Sequence, residues 1–529
     1  MIEEKSPHRR QQLFKRPVNG PGLLGIILAL FLGGLMVGGC TAESPENAVF
    51  IFASPWVPTS IDTTVEGYTF TRLGVAETLV GVDYDNNLVP MLAKSWSVSD
   101  DGLTWTFQLR DDVKFHDGTP LTAEGAKTSL ERTFRKATEY KTLPIDDISA
   151  IDEYTLEITT TKPFAPLIGY LAGDRSAIIA PGSLDDNDEV IEPIGTGPFM
   201  FDSWVPKESV TALKFDDYWG TKPNLEKVIY MGVPEEKTRE SMLRAGDADL
   251  AWLLSPDRVQ EMENDPDYKV YTQTRIGRVN QLMLNTKKTP LDDVRVRTAI
   301  CMAIDRDIIC KSLMEGVVPP AAGPFSLELS WADQDLKPIS YDIDKAKSLL
   351  DEAGWSDVDQ DGVREKDGKD LELALFTYTT RPELPPIAEA IKDQLGNAGI
   401  KVSITQLDTT GIAAQAKEGK VDTYLCSRSV FWYNDPDSWA ADFLPGSSYQ
   451  PYINYSPQDL VDLIQKGRET MDNEERKKIY DQLQEMILED SPVAYITYYT
   501  NVAVTRSNVN GYREHPTEFS YHLENVQKE

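Results

Sequence analysis

The chain reads as an α/β protein, and three observations carry that reading. Residues 371–377 alternate like a strand, 385–395 place apolar residues at helical spacing, and 400–404 alternate again. Such a β-α-β succession pairs its two strands in parallel, so a parallel sheet is expected in the second half. Strand-like and helix-like periods also interleave through the rest of that half. Finally, 529 residues exceed what one hydrophobic core supports, so two or three domains are expected.

The elements follow in order. Residues 1–39 form a leader: Lys5, Arg9, Arg10, Lys15 and Arg16 precede an apolar run of 17 residues at 23–39, which ends in Gly38 and Gly39. That order is the n-region, h-region and cleavage site of an exported protein. Cys40 directly after the small residues looks like the lipobox of prokaryotic lipoproteins, where the cysteine is acylated and becomes the new N-terminus. Five glycines in the apolar run disfavour a durable spanning helix, so cleavage is expected over a retained span. Arg9-Arg10 stand before Leu13-Phe14-Lys15 at an imperfect twin-arginine spacing, which leaves the export route open. Residues 40–47 are a polar tether, and the body is expected on the outer face of the cell membrane, held by lipid.

Residues 48–53 are an apolar strand. Residues 95–98 and 104–110 alternate around Asp101-Gly102 and predict a hairpin. A helix starts after Leu121 with Thr122 as its N-cap, and 154–159 is another strand. Ile194-Gly-Thr-Gly-Pro198 reads as a turn at a domain boundary. Strands follow at 228–231, 249–253, 278–285 and 421–425. Helices follow at 235–245, closed by Gly246, at 294–315, closed by Gly316, and at 344–353, closed by Gly354.

Composition narrows the function. The chain has 53 basic and 85 acidic residues, a formal charge of −32, and residues 1–39 hold five of the basic ones. A surface this acidic repels nucleic acid. Cysteines are sparse: Cys301, Cys310 and Cys426 besides Cys40, with no Cys-x-x-Cys pair. Cys301 and Cys310 fall on opposite sides of the helix expected at 294–315, so free buried thiols are expected, not a disulfide framework.

Catalytic motifs are missing. The sequence has no Gly-x-Ser-x-Gly elbow, no phosphate-cradling Gly-rich loop and no His-Glu-x-x-His. Its four histidines are His8, His116, His515 and His522. His116 lies in a Phe-His-Asp-Gly turn and is expected to pack that turn. Asp357, Asp359 and Asp361, followed by Gly362, resemble the first half of a calcium loop, but the twelfth position is Gly368 where an EF-hand has glutamate. Any calcium there would be structural, and a polar surface turn is the alternative. No other cofactor is implied.

Phe431-Trp432-Tyr433-Asn434-Asp435-Pro436-Asp437-Ser438-Trp439 gathers four aromatics and several polar groups in a loop after a strand. The cluster has neither strand nor helix period. Apolar walls with a few polar groups suit a small-molecule pocket, with packing of the loop on its own domain as the alternative.

Taken together, a series of motifs resembles the extracytoplasmic solute-binding proteins of the peptide/nickel/opine class (family 5), which serve ABC importers. These are Pro90-Met-Leu-Ala-Lys-Ser-Trp96, Asp100-Asp-Gly-Leu-Thr-Trp-Thr-Phe107, Phe115-His-Asp-Gly-Thr-Pro-Leu121, and Gly195-Thr-Gly-Pro-Phe199 with Trp204. They continue with Tyr218-Trp-Gly-Thr-Lys-Pro223, Leu291-Asp-Asp-Val-Arg-Val-Arg297, Ala303-Ile-Asp-Arg306 and Ala353-Gly-Trp355. The resemblance implies a two-lobed clamshell with an extra sub-domain, working as a monomer. Residues 48–85, 195–272 and 489–529 would form the first lobe's core, 86–194 the extra sub-domain and 273–488 the second lobe. A ligand would be enclosed by hinge motion and delivered to ABC permease subunits in the membrane, with no covalent chemistry.

The resemblance also bears on the ligand, a nickel chelate or a di- or oligopeptide. Peptide-binding members carry an aspartate four residues before the loop proline to hold the α-ammonium; here that position is Trp432. Losing that charge-assisted hydrogen bond removes roughly 1.5–3 kcal/mol. Thr379-Thr-Arg381-Pro-Glu-Leu-Pro385 is similar to the nickel-type branch, whose members hold a chelator's carboxylates with arginines, so a nickel chelate is favoured. Arg175, Arg278 and Arg428 are candidates for such carboxylates, with surface or internal ion pairs as the alternative. Tyr433 and Asn434 would line the pocket, and His515 and His522 are weak candidates for the metal. A receptor signalling to a membrane sensor, or an extracytoplasmic hydrolase, remains as an alternative function.

Overall fold

The computed structural model describes residues 48–529 except 275–276, 314–315, 317, 431–432 and 519. The leader, Cys40 and Trp432 lie outside the described residues. Among the described residues no helix is long and apolar enough to cross a membrane.

Two mixed sheets organise the body. The first has seven strands in the order Tyr268–Gln273, Asn501–Arg506, Leu250–Trp252, Val49–Ser54, Lys227–Gly232, Ser209–Lys214 and Phe199–Val205. Val49–Ser54 runs parallel to both of its neighbours, and the other pairings are antiparallel. Its alternation places Phe50 and Phe52 on one face, fully buried, with Phe52 edge-on to Tyr230 at 5.5 Å. Burying each such ring contributes about 1.5–3 kcal/mol, which fixes the register of this central strand.

The second sheet has five strands, in the order Lys401–Gln406, Glu372–Thr377, Thr423–Ser429, Arg278–Leu284 and Val493–Tyr498. The expected β-α-β unit is present: Glu372–Thr377 pairs in parallel with Lys401–Gln406 across the helix Leu384–Asn397. That helix buries Leu384, Ile387, Ala388, Ile391 and Leu395, one face at helical spacing. The sheet is not wholly parallel, however. Arg278–Leu284 pairs antiparallel with Thr423–Ser429 and with Val493–Tyr498.

The last pairing corrects the boundary read at residue 489. Val493–Tyr498 is the edge strand of the second sheet, and the chain re-enters the first sheet only at Asn501.

A four-stranded antiparallel sheet, Ala93–Val98, Thr104–Leu109, Thr155–Thr160 and Ile145–Ala150, forms within the segment read as an extra sub-domain. Its first hairpin turns at Gly102, whose φ of 72° favours glycine. The helix Ala123–Lys136 starts where Thr122 accepts a hydrogen bond from Gly125 N. Gly195 and Gly197 let the chain lie against 74–75, since a Cβ on Gly195 would sit 2.0 Å from Val75 O. His116 locks the same turn, accepting from Gly195 N at 3.2 Å and reaching Gly197 O at 3.0 Å with Nε2.

The helix expected over 294–315 is broken. Val294–Ala303 ends, Asp305 caps a new turn by accepting from Ile308 N, and a π-type turn covers Ile309–Leu313. Cys301 and Cys310 therefore do not share one helix. Both are buried and free, as is Cys426. Burial pushes the Cys310 and Cys426 thiols up to about 12, far from a reactive thiolate.

Candidate functional site

The chain leaves the first sheet at Gln273 and enters the second at Arg278, and it returns from the second to the first through Tyr499 and Thr500. The crossings are tied together where Tyr499 N donates to Arg278 O at 3.1 Å. Around this junction the fold gathers three arginines that are far apart in sequence. Arg72 is the last residue of the helix Thr63–Arg72, Arg278 opens a strand of the second sheet, and Arg381 follows the C-terminal end of Glu372–Thr377. Crevices outside the carboxyl ends of parallel strands are where open α/β sheets place ligands.

All three guanidiniums are buried, with relative exposures of 4–7%. They converge on Glu518. Arg278 donates to Glu518 Oε2 through Nε at 3.2 Å and Nη2 at 2.6 Å, and to Ser427 O through Nη1. Arg381 Nη2 stands 3.6 Å from Glu518 Oε1, and Arg72 Nε donates to the Glu518 carbonyl at 2.8 Å. Burial acts to raise the Glu518 pKa, but Arg278, Arg381 and Arg72 bring it down to about 2.

Aromatic rings complete the walls. Trp56 meets both Arg72 and Arg381, its ring centroid 5.0 Å from each guanidinium carbon. Tyr499 faces Arg381 at 4.7 Å, and Tyr68 faces Arg72 at 4.8 Å. Planar guanidinium suits such stacking as well as carboxylates. Arg381 Nη1, Arg72 Nη1 and Glu518 Oε1 are buried and make no hydrogen bond. Buried donors of this kind are costly until an acceptor arrives. Arg381 belongs to the Thr379–Pro385 stretch similar to the nickel-type branch, whereas no local pattern marks Arg72 or Glu518.

In the aromatic loop, Tyr433 and Asn434 meet the segment that holds the four-stranded sheet. Tyr433 stacks on Tyr170 with centroids 3.6 Å apart and planes at 21°, an arrangement that contributes about 0.5–1.5 kcal/mol beyond burial. Asn434 Nδ2 donates to Asn86 O at 2.8 Å. Beneath the loop, Arg476 grips both oxygens of Asp435 at 2.9 Å, and Arg468 holds Asp437 at 2.7 and 2.9 Å. Tyr433 and Asn434 thus join the two sides of the body.

The other expected residues fall elsewhere. Arg428 does not open toward a ligand: it forms a buried bidentate pair with Asp442 at 2.8 and 2.9 Å and faces Tyr449 at 4.5 Å. Arg175 is partly exposed and pairs with Glu139 at 2.6 Å, leaving its buried Nε without a hydrogen bond. One carboxylate oxygen from each of Asp357, Asp359 and Asp361 lies within 4.8 Å of the others, and all three residues are exposed. Their loop is closed by its own turns, with Gly362 N donating to Asp357 and Val363 N to Asp361.

His515 is not set up to ligate a metal. Its Nε2 is 3.1 Å from Val82 O and its Nδ1 is 2.8 Å from Thr517 Oγ1. His522 pairs with Glu524 at 3.0 Å. Burial, with the neighbouring His522, pushes the His515 pKa down to about 3. The unfolded chain therefore binds a proton near pH 6.5 that the folded chain refuses until about pH 3. Stability contributed here is complete above 6.5 and falls on acidification by about 1.4 kcal/mol per pH unit. Urea unfolding between pH 6.5 and 4.5 should show His515→Gln losing that slope relative to the unmodified protein.

Comparison with known proteins gives a consistent result. Residues 87–450 match the profile of bacterial extracellular solute-binding proteins, family 5 (middle region). The nickel-binding periplasmic protein of Escherichia coli K12 is 29% identical over 83% of this chain and 86% of its own. The glutathione-binding protein GsiB of the same strain is 29% identical over 84% and 87%. Among solved structures, NikA from Brucella suis in complex with Fe(III)-EDTA has a TM-score of 0.82 and 25% identity, covering 91% of this chain and 100% of that one.

Proposed function

Because this chain belongs to the bacterial extracellular solute-binding proteins of family 5, we propose that it is the receptor of an ABC importer for a small solute bearing a carboxylate. The solute is held between the two lobes at the arginine cluster and handed unchanged to a membrane permease. The observation that carries this is Arg381: a buried guanidinium against the rings of Trp56 and Tyr499, with Nη1 lacking any acceptor. A ligand carboxylate supplies that acceptor through a charge-assisted hydrogen bond. A metal chelate or a short peptide each brings such a group, and relatives of both kinds are known, binding nickel in one case and glutathione in another. Trp432, standing where peptide-binding members resemble one another in having an aspartate, favours the chelate. Native mass spectrometry with elemental analysis of protein purified from its own host tests the reading. Nickel with an organic acid, or a peptide ladder, supports it; a ligand without any carboxylate overturns it.

Lipid anchoring at Cys40 is part of the same proposal. Cys40→Ser should move the protein from the membrane fraction to the soluble extracytoplasmic fraction. A variant that stays with membranes would mean an uncleaved span holds it.

A further inference from the structure

We infer that Glu518 is the specificity-determining residue that limits how much negative charge a ligand of the arginine cluster can carry. The inference rests on the reading of that cluster as the site for a carboxylate-bearing solute.

Glu518 comes from the C-terminal segment, yet it stands among guanidiniums drawn from three distant stretches of the chain. Arg278 and Arg381 belong to the second lobe and Arg72 to the first, and all three address this one residue. Its φ of 61° is left-handed, a conformation that costs a non-glycine residue on the order of 1 kcal/mol or more. The contacts on either side hold it there. Three guanidiniums alone would favour a polyanion. Glu518 cancels one of their charges permanently while leaving Nη1 of Arg72 and of Arg381 as unused donors. The other carboxyl groups facing the cluster are less effective counter-charges: burial raises the pKa of Glu383, raises that of Glu514 to about 7 and raises that of Asp174 to about 6. Glu518 is thus the dependable negative charge of the site, and its removal shifts the preferred ligand toward greater negative charge.

The test is Glu518→Gln in the full mature chain, which keeps the side-chain shape and removes the charge. Calorimetric titration compares two pairs of probes whose members differ by one charge in nearly one frame. Fe(III)-EDTA carries a single negative charge and Ni(II)-EDTA a second; glutathione carries one more than its glycyl ethyl ester. The unmodified protein sets the reference affinity ratio for whichever pair it binds. Glu518→Gln should shift the affinity ratio toward the more negative member by about tenfold or more, as expected for one partly desolvated charge. Should that variant fail to fold, Arg72→Gln removes a positive charge instead and should shift the ratio the opposite way by a similar factor. A ratio unchanged within a factor of about two, with binding retained, overturns the role of Glu518 alone. Binding of none of the four probes by the unmodified protein removes the carboxylate-solute reading and this inference with it.

Discussion

Arg381→Gln should lose at least about a hundredfold in affinity for the native solute while leaving the protein folded. The side chain lies against the rings of Trp56 and Tyr499 and takes part in no bidentate pair among the described residues, so its main office is toward a ligand. Truncating one partner of a buried, hydrogen-bonded charge pair costs roughly 2–5 kcal/mol of binding. Glutamine keeps the aliphatic contact with the rings and most of the volume. Titration with the solute recovered from the native host checks the affinity, and thermal unfolding checks the fold. Affinity within a few-fold of the unmodified protein would place the carboxylate elsewhere.

Asp435→Ala should cost about 3–5 kcal/mol of stability, the largest effect on folding expected of a single change outside the apolar core. Asp435 and Arg476 share two hydrogen bonds of 2.9 Å, and each is nearly inaccessible to water. Removing the carboxylate strands a guanidinium whose other contacts among the described residues include Gly467 O and the rings of Trp331 and Tyr480. Urea unfolding measures the loss. Adding Arg476→Met to the same chain should recover part of it, because no charge is then left unpaired. A loss below about 1 kcal/mol would mean that water reaches Arg476.

Much of the fold was legible in the chain because the signals were local. The Asp101-Gly102 turn between alternating runs, the Thr122 cap and the strand-helix-strand of 371–404 each depend on residues within a few positions of one another. The failures have physical causes too. Over 294–315 the apolar period continues, but Asp305 offers its side chain to Ile308 N and restarts the helix, a competition that periodicity does not register. The resemblance places residues 489–529 in the first lobe's core, whereas Val493–Tyr498 pairs with Arg278–Leu284, more than two hundred residues away. The arginine cluster was hidden for the same reason. Arg72 meets Glu518 across 446 positions, and no spacing rule links them. An arginine that closes an internal pair, as Arg428 does with Asp442, and one that awaits a ligand look alike in one dimension.

The strand order of the first sheet dictates an order of assembly. Asn501–Arg506 is not an edge: it lies between Leu250–Trp252 and Tyr268–Gln273, which do not touch each other in the ladder. A nascent chain that has reached residue 498 already holds every strand of the second sheet, whereas the first sheet is still split. The second lobe can therefore mature while the first waits for Asn501–Arg506 to be synthesised. A premature stop just past Tyr498 would yield a half-finished molecule with two raw strand edges, prone to aggregate or to be degraded.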